Sequence, residues 1–302
     1  EKLFSLTLWR STSSSFVRIS KQRTSSHEVT ISTTDLPSID CEWACQSDVE
    51  ILQLRQMKLL LHTDLQPILN SNLHETYPDV YGDLRLLRFL RKSKERDANS
   101  ASLRYRSFLK WRIEEKVDSI RAMVENACNN SQSLEPSDEK LQTLAEYFPC
   151  NFEYMLQEPT DDSRKDIHEA VRPAILHIGN FDTTGITAKI QSSESDVSLR
   201  DFLNYWIYLY EAIHRHLYHQ SIRVQKMTFL DEVCDLTNLS VKQFSPAFVT
   251  KVMKPWLKMT QSHYPETTRR IYVLKPPAIV NFAWRLVTPL LSQGTWLFRT
   301  LS

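Results

Sequence analysis

Glycine is nearly absent from this chain. Four glycines occur in 302 residues, Gly82, Gly179, Gly185 and Gly294, where average usage would give roughly twenty. That scarcity excludes a P-loop, a G-x-G-x-x-G dinucleotide loop and a G-x-S-x-G nucleophile elbow. No uninterrupted apolar run reaches the roughly 18 residues that suggest a membrane-spanning helix. The nearest approach, Pro276 to Leu291, is broken by Asn281, Arg285 and Pro289. A basic excess is also missing: Lys+Arg is 37 against Asp+Glu 36, a net charge of +1. A general electrostatic nucleic-acid binder needs such an excess, so nucleic acid is not an expected partner. The five cysteines, Cys41, Cys45, Cys128, Cys150 and Cys234, are an odd number in a long chain. They do not read as a disulfide framework and point to a reducing compartment.

What remains is ordinary globular material. Hydrophobic residues make up 41% of the chain and charged residues 24%, enough for a sizeable core in one large domain or two ordinary ones. Residues 2 to 27 hold no acid but carry Lys2, Arg10, Arg18, Lys21 and Arg23 among many Ser and Thr. This leader resembles an organelle transit peptide; a plain disordered basic tail fits as well. We expect residues 1–46 to be such a leader, 47–125 a helical subdomain and 126–302 a second domain.

Apolar spacing predicts a helix over 48 to 62. A further helix follows Gly82 and a capping Asp83, with Leu and Phe on one face and Arg85, Arg88 and Lys92 on the other. Asp97 caps a third, in which Ala101, Tyr105, Phe108 and Trp111 run down one side. Residues 126 to 140 and Asp161 to Glu169 read as polar loops. From about residue 171 the pattern changes to strands alternating with helices. Strands are expected at Pro173–Ile178, Met227–Leu230 and Arg270–Leu274. A helix opens at Ser198 with Asp201 in a capping box, and another at Ser245-Pro246. Pro255 should kink or break the latter. A helix from Ala278 to Val287 is apolar nearly all round, so it is buried or faces something greasy. Strand–helix alternation implies crossovers onto a largely parallel sheet, an α/β fold class.

Several segments, taken in order, resemble the CRAL-TRIO lipid-binding family, above all its phosphatidylinositol-transfer branch. They are Leu86-Leu87-Arg88-Phe89-Leu90-Arg91-Lys92 with Trp111-Arg112, then Arg172-Pro173, Tyr210-Glu211 and Thr228-Phe229-Leu230-Asp231. His263-Tyr264-Pro265-Glu266 with Arg270-Ile271-Tyr272-Val273, and Val287-Thr288-Pro289-Leu290-Leu291, complete the set. The resemblance spans about 80 to 302. It implies an α/β fold with an N-terminal helical subdomain, a mostly parallel sheet with crossover helices, and a mobile gate helix. It also implies a non-enzymatic monomer, cytoplasmic and peripheral at membranes, that binds and transfers phosphatidylinositol or phosphatidylcholine. The alternative is an interaction or lipid-sensing scaffold on the same fold.

The chemistry of a carrier is burial rather than catalysis, since each methylene hidden from water contributes about 0.8 kcal/mol. Phe202, Trp206, Tyr210, Phe248, Val252 and Trp256 are the expected cavity lining. Phe282, Trp284 and Val287, within Ala278–Leu291, form the gate. The resemblance carries head-group recognition onto Arg88, Thr228, Glu266 and Thr295. The family's lysine past the gate falls on Phe298, beside Arg299. Two departures are expected to matter. Asp231 is not followed by the family's Leu-Lys-Gly, so the next loop should be longer or differently shaped. The closing strand after the gate should be missing. No nucleophile–base pair, cofactor loop or metal set is legible: His214 and His216 diverge by about 200° on a helix, and Cys41 and Cys45 lack neighbouring ligands. No catalytic residue, cofactor or metal is therefore expected.

Overall fold

Capping chemistry sets the helix starts. The computed structural model describes residues 37–93, 96–131, 136–151, 173–280, 285 and 298–301. The chain divides into Glu1–Asp35 and Leu36–Ser302, and every described residue belongs to the second unit. Its helical half comprises α1 (Asp48–Leu60), α2 (His62–Asn70), α3 (Leu73–Thr76), α4 (Pro78–Tyr81), α5 (Asp83–Lys92), α6 (Ala98–Glu114), α7 (Val117–Ser131) and α8 (Glu139–Tyr147). Asp97 caps α6 by accepting from the Ser100 amide at 2.8 Å, and Ala101, Tyr105 and Phe108 are fully buried below it.

The second half alternates as expected. Strand β1 (Cys150–Asn151) precedes β2 (Ala174–Leu176), α9 (Thr183–Gln191) and α10 (Leu199–Val224). Then come β3 (Leu230–Asp235), α11 (Pro246–Phe248), α12 (Lys254–His263), β4 (Thr268–Leu274) and β5 (Phe298–Leu301). The sheet runs β1-β2-β3-β4-β5. Only the β1–β2 pair is antiparallel; β2–β3, β3–β4 and β4–β5 are parallel. Ser198 and Asp201 form both halves of the expected capping box, which opens a helix of 26 residues. Its buried stripe, from Phe202 to Leu217, packs on the sheet core with Ala174, Leu176, Leu230 and Cys234.

Several sequence expectations are corrected. Helix α5 is not amphipathic in place: every residue from Asp83 to Leu90 is buried. Arg85 and Arg88 are 1% and 4% exposed, because the other subdomain covers their face. Residues 37–46, assigned above to the leader, pack against this half, burying Ile39, Cys41 and Ala44. The Asp40 amide donates to Asp83 at 2.8 Å. Residues 126–131 are not loop but the end of α7.

The central strand is Leu230–Asp235, not Met227–Leu230. It ends four residues beyond Asp231, so Asp235-Leu236-Thr237-Asn238 makes the turn. Asn238 has φ 70°, the left-handed conformation that Asn adopts more readily than other non-glycine residues. Asparagine thus takes at this turn the backbone conformation that a glycine would adopt freely. Gly179 lies against this turn; a Cβ there would meet the Thr237 carbonyl oxygen at 1.7 Å. Pro255 neither breaks nor ends its helix. A π turn at Val249–Met253 joins α11 to α12, and widening of that kind accommodates a residue that cannot donate an amide. A closing strand is present after all, with β5 pairing Ile271 to Phe298 and Tyr272 to Arg299.

Candidate functional site

Three features meet at the inner face of the sheet. The first is an aromatic wall. Phe202, Trp206 and Tyr210 recur every fourth residue along α10, opposite Phe248, Val252 and Trp256 on the helical stretch from α11 to α12. The Trp206 and Trp256 rings lie 4.3 Å apart between centroids, and Phe202 meets Trp256 edge-on at 6.4 Å. Phe148, at the end of α8, closes on Phe202 at 5.4 Å. Phe202, Trp206, Phe248 and Val252 are buried, whereas Tyr210 and Trp256 are half-buried. The indole N–H groups of Trp206 and Trp256 find no acceptor among the described residues. Such a wall is apolar even where its atoms are polar.

The second feature is the floor. Strand β4 is flanked on both sides by strands, and an interior parallel strand is ordinarily covered on both faces. Here every residue from Thr268 to Leu274 is only half-buried. Register places Glu232 of β3 beside Ala174 on one side and Ile271 on the other. The Thr268 hydroxyl donates to Glu232 at 2.6 Å, and among the described residues it is the carboxyl's one hydrogen-bond partner. Burial raises the Glu232 pKa, and burial followed by the Glu232 charge raises that of Tyr210. Both side chains are starved of water, yet both keep accessible surface. Both border the partly exposed recess over β4, where every strand residue is half-buried. Glu232 carried no distinguishing mark in the sequence; only the position of the strand reveals it.

The third feature is the junction between the two halves. Arg88 donates from Nη1 to the Glu266 carbonyl and from Nη2 to the Thr228 carbonyl at 2.8 Å. Three residues expected at the head group thus converge, though Arg88 and Thr228 are occupied. Burial and the nearby Arg85 lower the Arg88 pKa to about 9. The Thr228 hydroxyl donates to the Leu217 carbonyl at 2.8 Å. Glu266 stands at φ 54°, and its carboxylate meets no donor among the described residues. Arg269 pairs with Asp231 at 2.8 Å instead. Thr295, Phe282, Trp284 and Val287 lie outside the described residues.

Around this junction runs a buried ionic cluster that the sequence motifs marked without explaining. Arg112 bridges Glu211 at 2.7 Å and Asp118 at 2.6 Å. Tyr264 donates its hydroxyl to Glu211 at 2.8 Å. Arg121 pairs with Asp79 at 2.8 Å. Arg85 donates to His214 Nδ1, so that Nε2 is left to donate to Thr267 at 2.8 Å. Burial, then Arg85, holds His214 well below the ordinary histidine range, keeping it a neutral acceptor. The guanidinium of Arg85 also lies over Phe108 and Tyr264, 4.9 Å and 5.3 Å from the ring centroids. This explains how a buried cation persists without a carboxylate.

Comparison with known proteins fits this architecture. Residues 172–296 match the model of the CRAL/TRIO domain. No curated protein sequence matches the chain, but 22 chains of solved structures do. One is the crystal structure of Sfh5, at TM-score 0.53 and 15% identity, covering 85% of this chain and 81% of that one. At that identity the likeness concerns the fold alone. Strands β2 to β4 and the Tyr-Pro-Glu corner at the Arg88 junction therefore lie within residues 172–296, the stretch that matches the CRAL/TRIO domain.

Proposed function

We propose that this chain binds a phospholipid, phosphatidylinositol or phosphatidylcholine, and carries it between membranes without changing it chemically. The observation that supports this reading best is the half-covered interior strand β4 beside an apolar wall. Together they leave unsatisfied surface where acyl chains can replace water. Tyr210, Trp256, Ile271 and Val273 contact the chains in this reading. Glu232, which accepts one hydrogen bond from Thr268, and Glu266 are the carboxylates that meet the head group in this reading, Arg88 and Thr228 hold the corner, and Thr295 lies beyond it. Ala278–Leu291, with Phe282, Trp284 and Val287, is the gate.

Native mass spectrometry of the purified protein, followed by extraction and identification of the retained lipid, tests the reading. A lipid-loaded species and exchange between vesicles are expected; protein without lipid and inert in exchange would refute it. Glu266→Gln should lower phosphatidylinositol exchange about ten-fold, the value of one charge-assisted hydrogen bond, and spare phosphatidylcholine. Equal loss of both would remove the head-group assignment.

A second reading, an interaction module with a filled interior, draws support from the close packing of Trp206, Trp256, Phe202 and Phe148. It requires the same experiment to return an empty protein.

A further inference from the structure

The net charge of +1 conceals a strong asymmetry along the chain. Beyond Asp235 there are nine basic residues, five lysines and four arginines, against the single acid Glu266. The preceding part is correspondingly net acidic. The arginines of β4 are engaged: Arg269 and Arg270 lie 2.8 Å and 4.0 Å from Asp231. The lysines of the helical stretch from α11 to α12 have no such partner among the described residues. Lys251, Lys254 and Lys258 are exposed and stand at spacings of three and four, which puts them on one face. Lys242 and Val241, in the short turn just before, are exposed too, Val241 by 55%. None of these four lysines has a carboxylate within ion-pair distance among the described residues.

The opposite face of the same helix carries Phe248, Val252 and Trp256, the wall of the recess. One element therefore turns its apolar side inward and an uncompensated row of ammonium groups outward. A π turn at Val249–Met253 lies between its two parts.

We propose that Lys242, Lys251, Lys254 and Lys258 form the surface by which this protein docks on an anionic phospholipid bilayer. The inference rests on the carrier reading only in that a carrier must meet a membrane. Charge complementarity selects the partner. A planar anionic surface engages a row of flexible lysines together, and each ammonium is a strongly hydrated point charge that needs no shaped site. Because the whole molecule is almost neutral, the attraction orients it instead of making it adhere everywhere. Docked this way, the recess wall lies directly behind the contacting face. A duplex nucleic acid fits less well, since tight binding there draws on about 6–10 phosphate contacts.

Co-sedimentation of the full chain with phosphatidylcholine vesicles, with and without phosphatidylserine, is the test. Binding should require phosphatidylserine and weaken with added salt. Each lysine near such a surface contributes roughly five-fold in partitioning. The triple variant Lys251→Gln/Lys254→Gln/Lys258→Gln should therefore lose about a hundred-fold. The charge-matched control Lys110→Gln/Lys140→Gln/Lys226→Gln, all exposed elsewhere, should lose little. The arginine-substituted triple should bind as the parent does. Equal losses in both glutamine triples, or equal binding to vesicles lacking phosphatidylserine, would overturn the proposal. Native mass spectrometry on the same samples separates the two claims. Lipid retained by a variant that no longer sediments supports docking, whereas sedimentation by a protein that retains no lipid refutes only the carrier reading.

Discussion

Arg112 shows how one side chain holds two halves of a molecule together. It sits 1% exposed between Glu211 and Asp118, and removing it takes the closer ion-pair partner from the buried Glu211, leaving Arg121 at 3.7 Å. Arg112→Met should lower the unfolding free energy by about 3–5 kcal/mol in a denaturant titration. Replacing Arg112 and Glu211 together by apolar residues should cost much less, because the desolvation of both charges disappears with them. Glu232 makes the contrasting case. Under the carrier reading proposed above it faces the ligand. Glu232→Leu should fold normally by circular dichroism, yet change the head-group class of the co-purifying lipid. At this scale the sequence was informative about which residues matter and less so about what they do. Arg88 was legible as a motif position, but its burial was not, because an Arg-Leu-Leu-Arg pattern looks amphipathic until a second subdomain covers its polar face. Glu211 and Arg112 appeared in separate motifs, and nothing local shows that charges so far apart in sequence will meet.

At the scale of elements, caps and periodicity were the reliable guides. The Ser198–Asp201 box and Asp97 act within four residues, so their geometry is written locally. Strand limits were not, since pairing partners decide them, and β3 begins three residues and ends five residues further on than its hydrophobic run suggests. The same displacement hid the turn after β3. Asn238 should accept glycine with little change, whereas Asn238→Val should cost about 1–2 kcal/mol for forcing a β-branched residue into left-handed backbone. Thermal unfolding of the two variants checks this. Phe202, Trp206 and Tyr210 were legible as a stripe on α10, but a stripe cannot say whether its far side is solid. That information lies in the half-covered strand opposite.

At the scale of the whole molecule, histidine burial sets an acid limit. Burial holds His214 well below its ordinary value of 6.5, and His216 and His263 at about 4. An unfolded chain takes up these protons below about pH 6.5, while the folded protein resists them. The stability that their neutral forms supply is therefore complete above that value. It declines on acidification toward pH 4, by up to about 1.4 kcal/mol per pH unit for each histidine. Urea midpoints at pH 7 and pH 5 should show the drop, and His263→Phe, which keeps the stack on Trp111 at 4.0 Å, should reduce it.

The parallel pairing of β4 with β5 has a geometric consequence. Leu274 leaves the sheet at one end of β4, yet Phe298 must re-enter opposite Ile271, near the other end. A parallel pair joined in this order needs a crossover, and its two anchors, Leu274 and Phe298, stand on neighbouring strands about 4.8 Å apart. The last strand thereby covers an edge of β4 that would otherwise offer its unpaired amides and carbonyls to another chain.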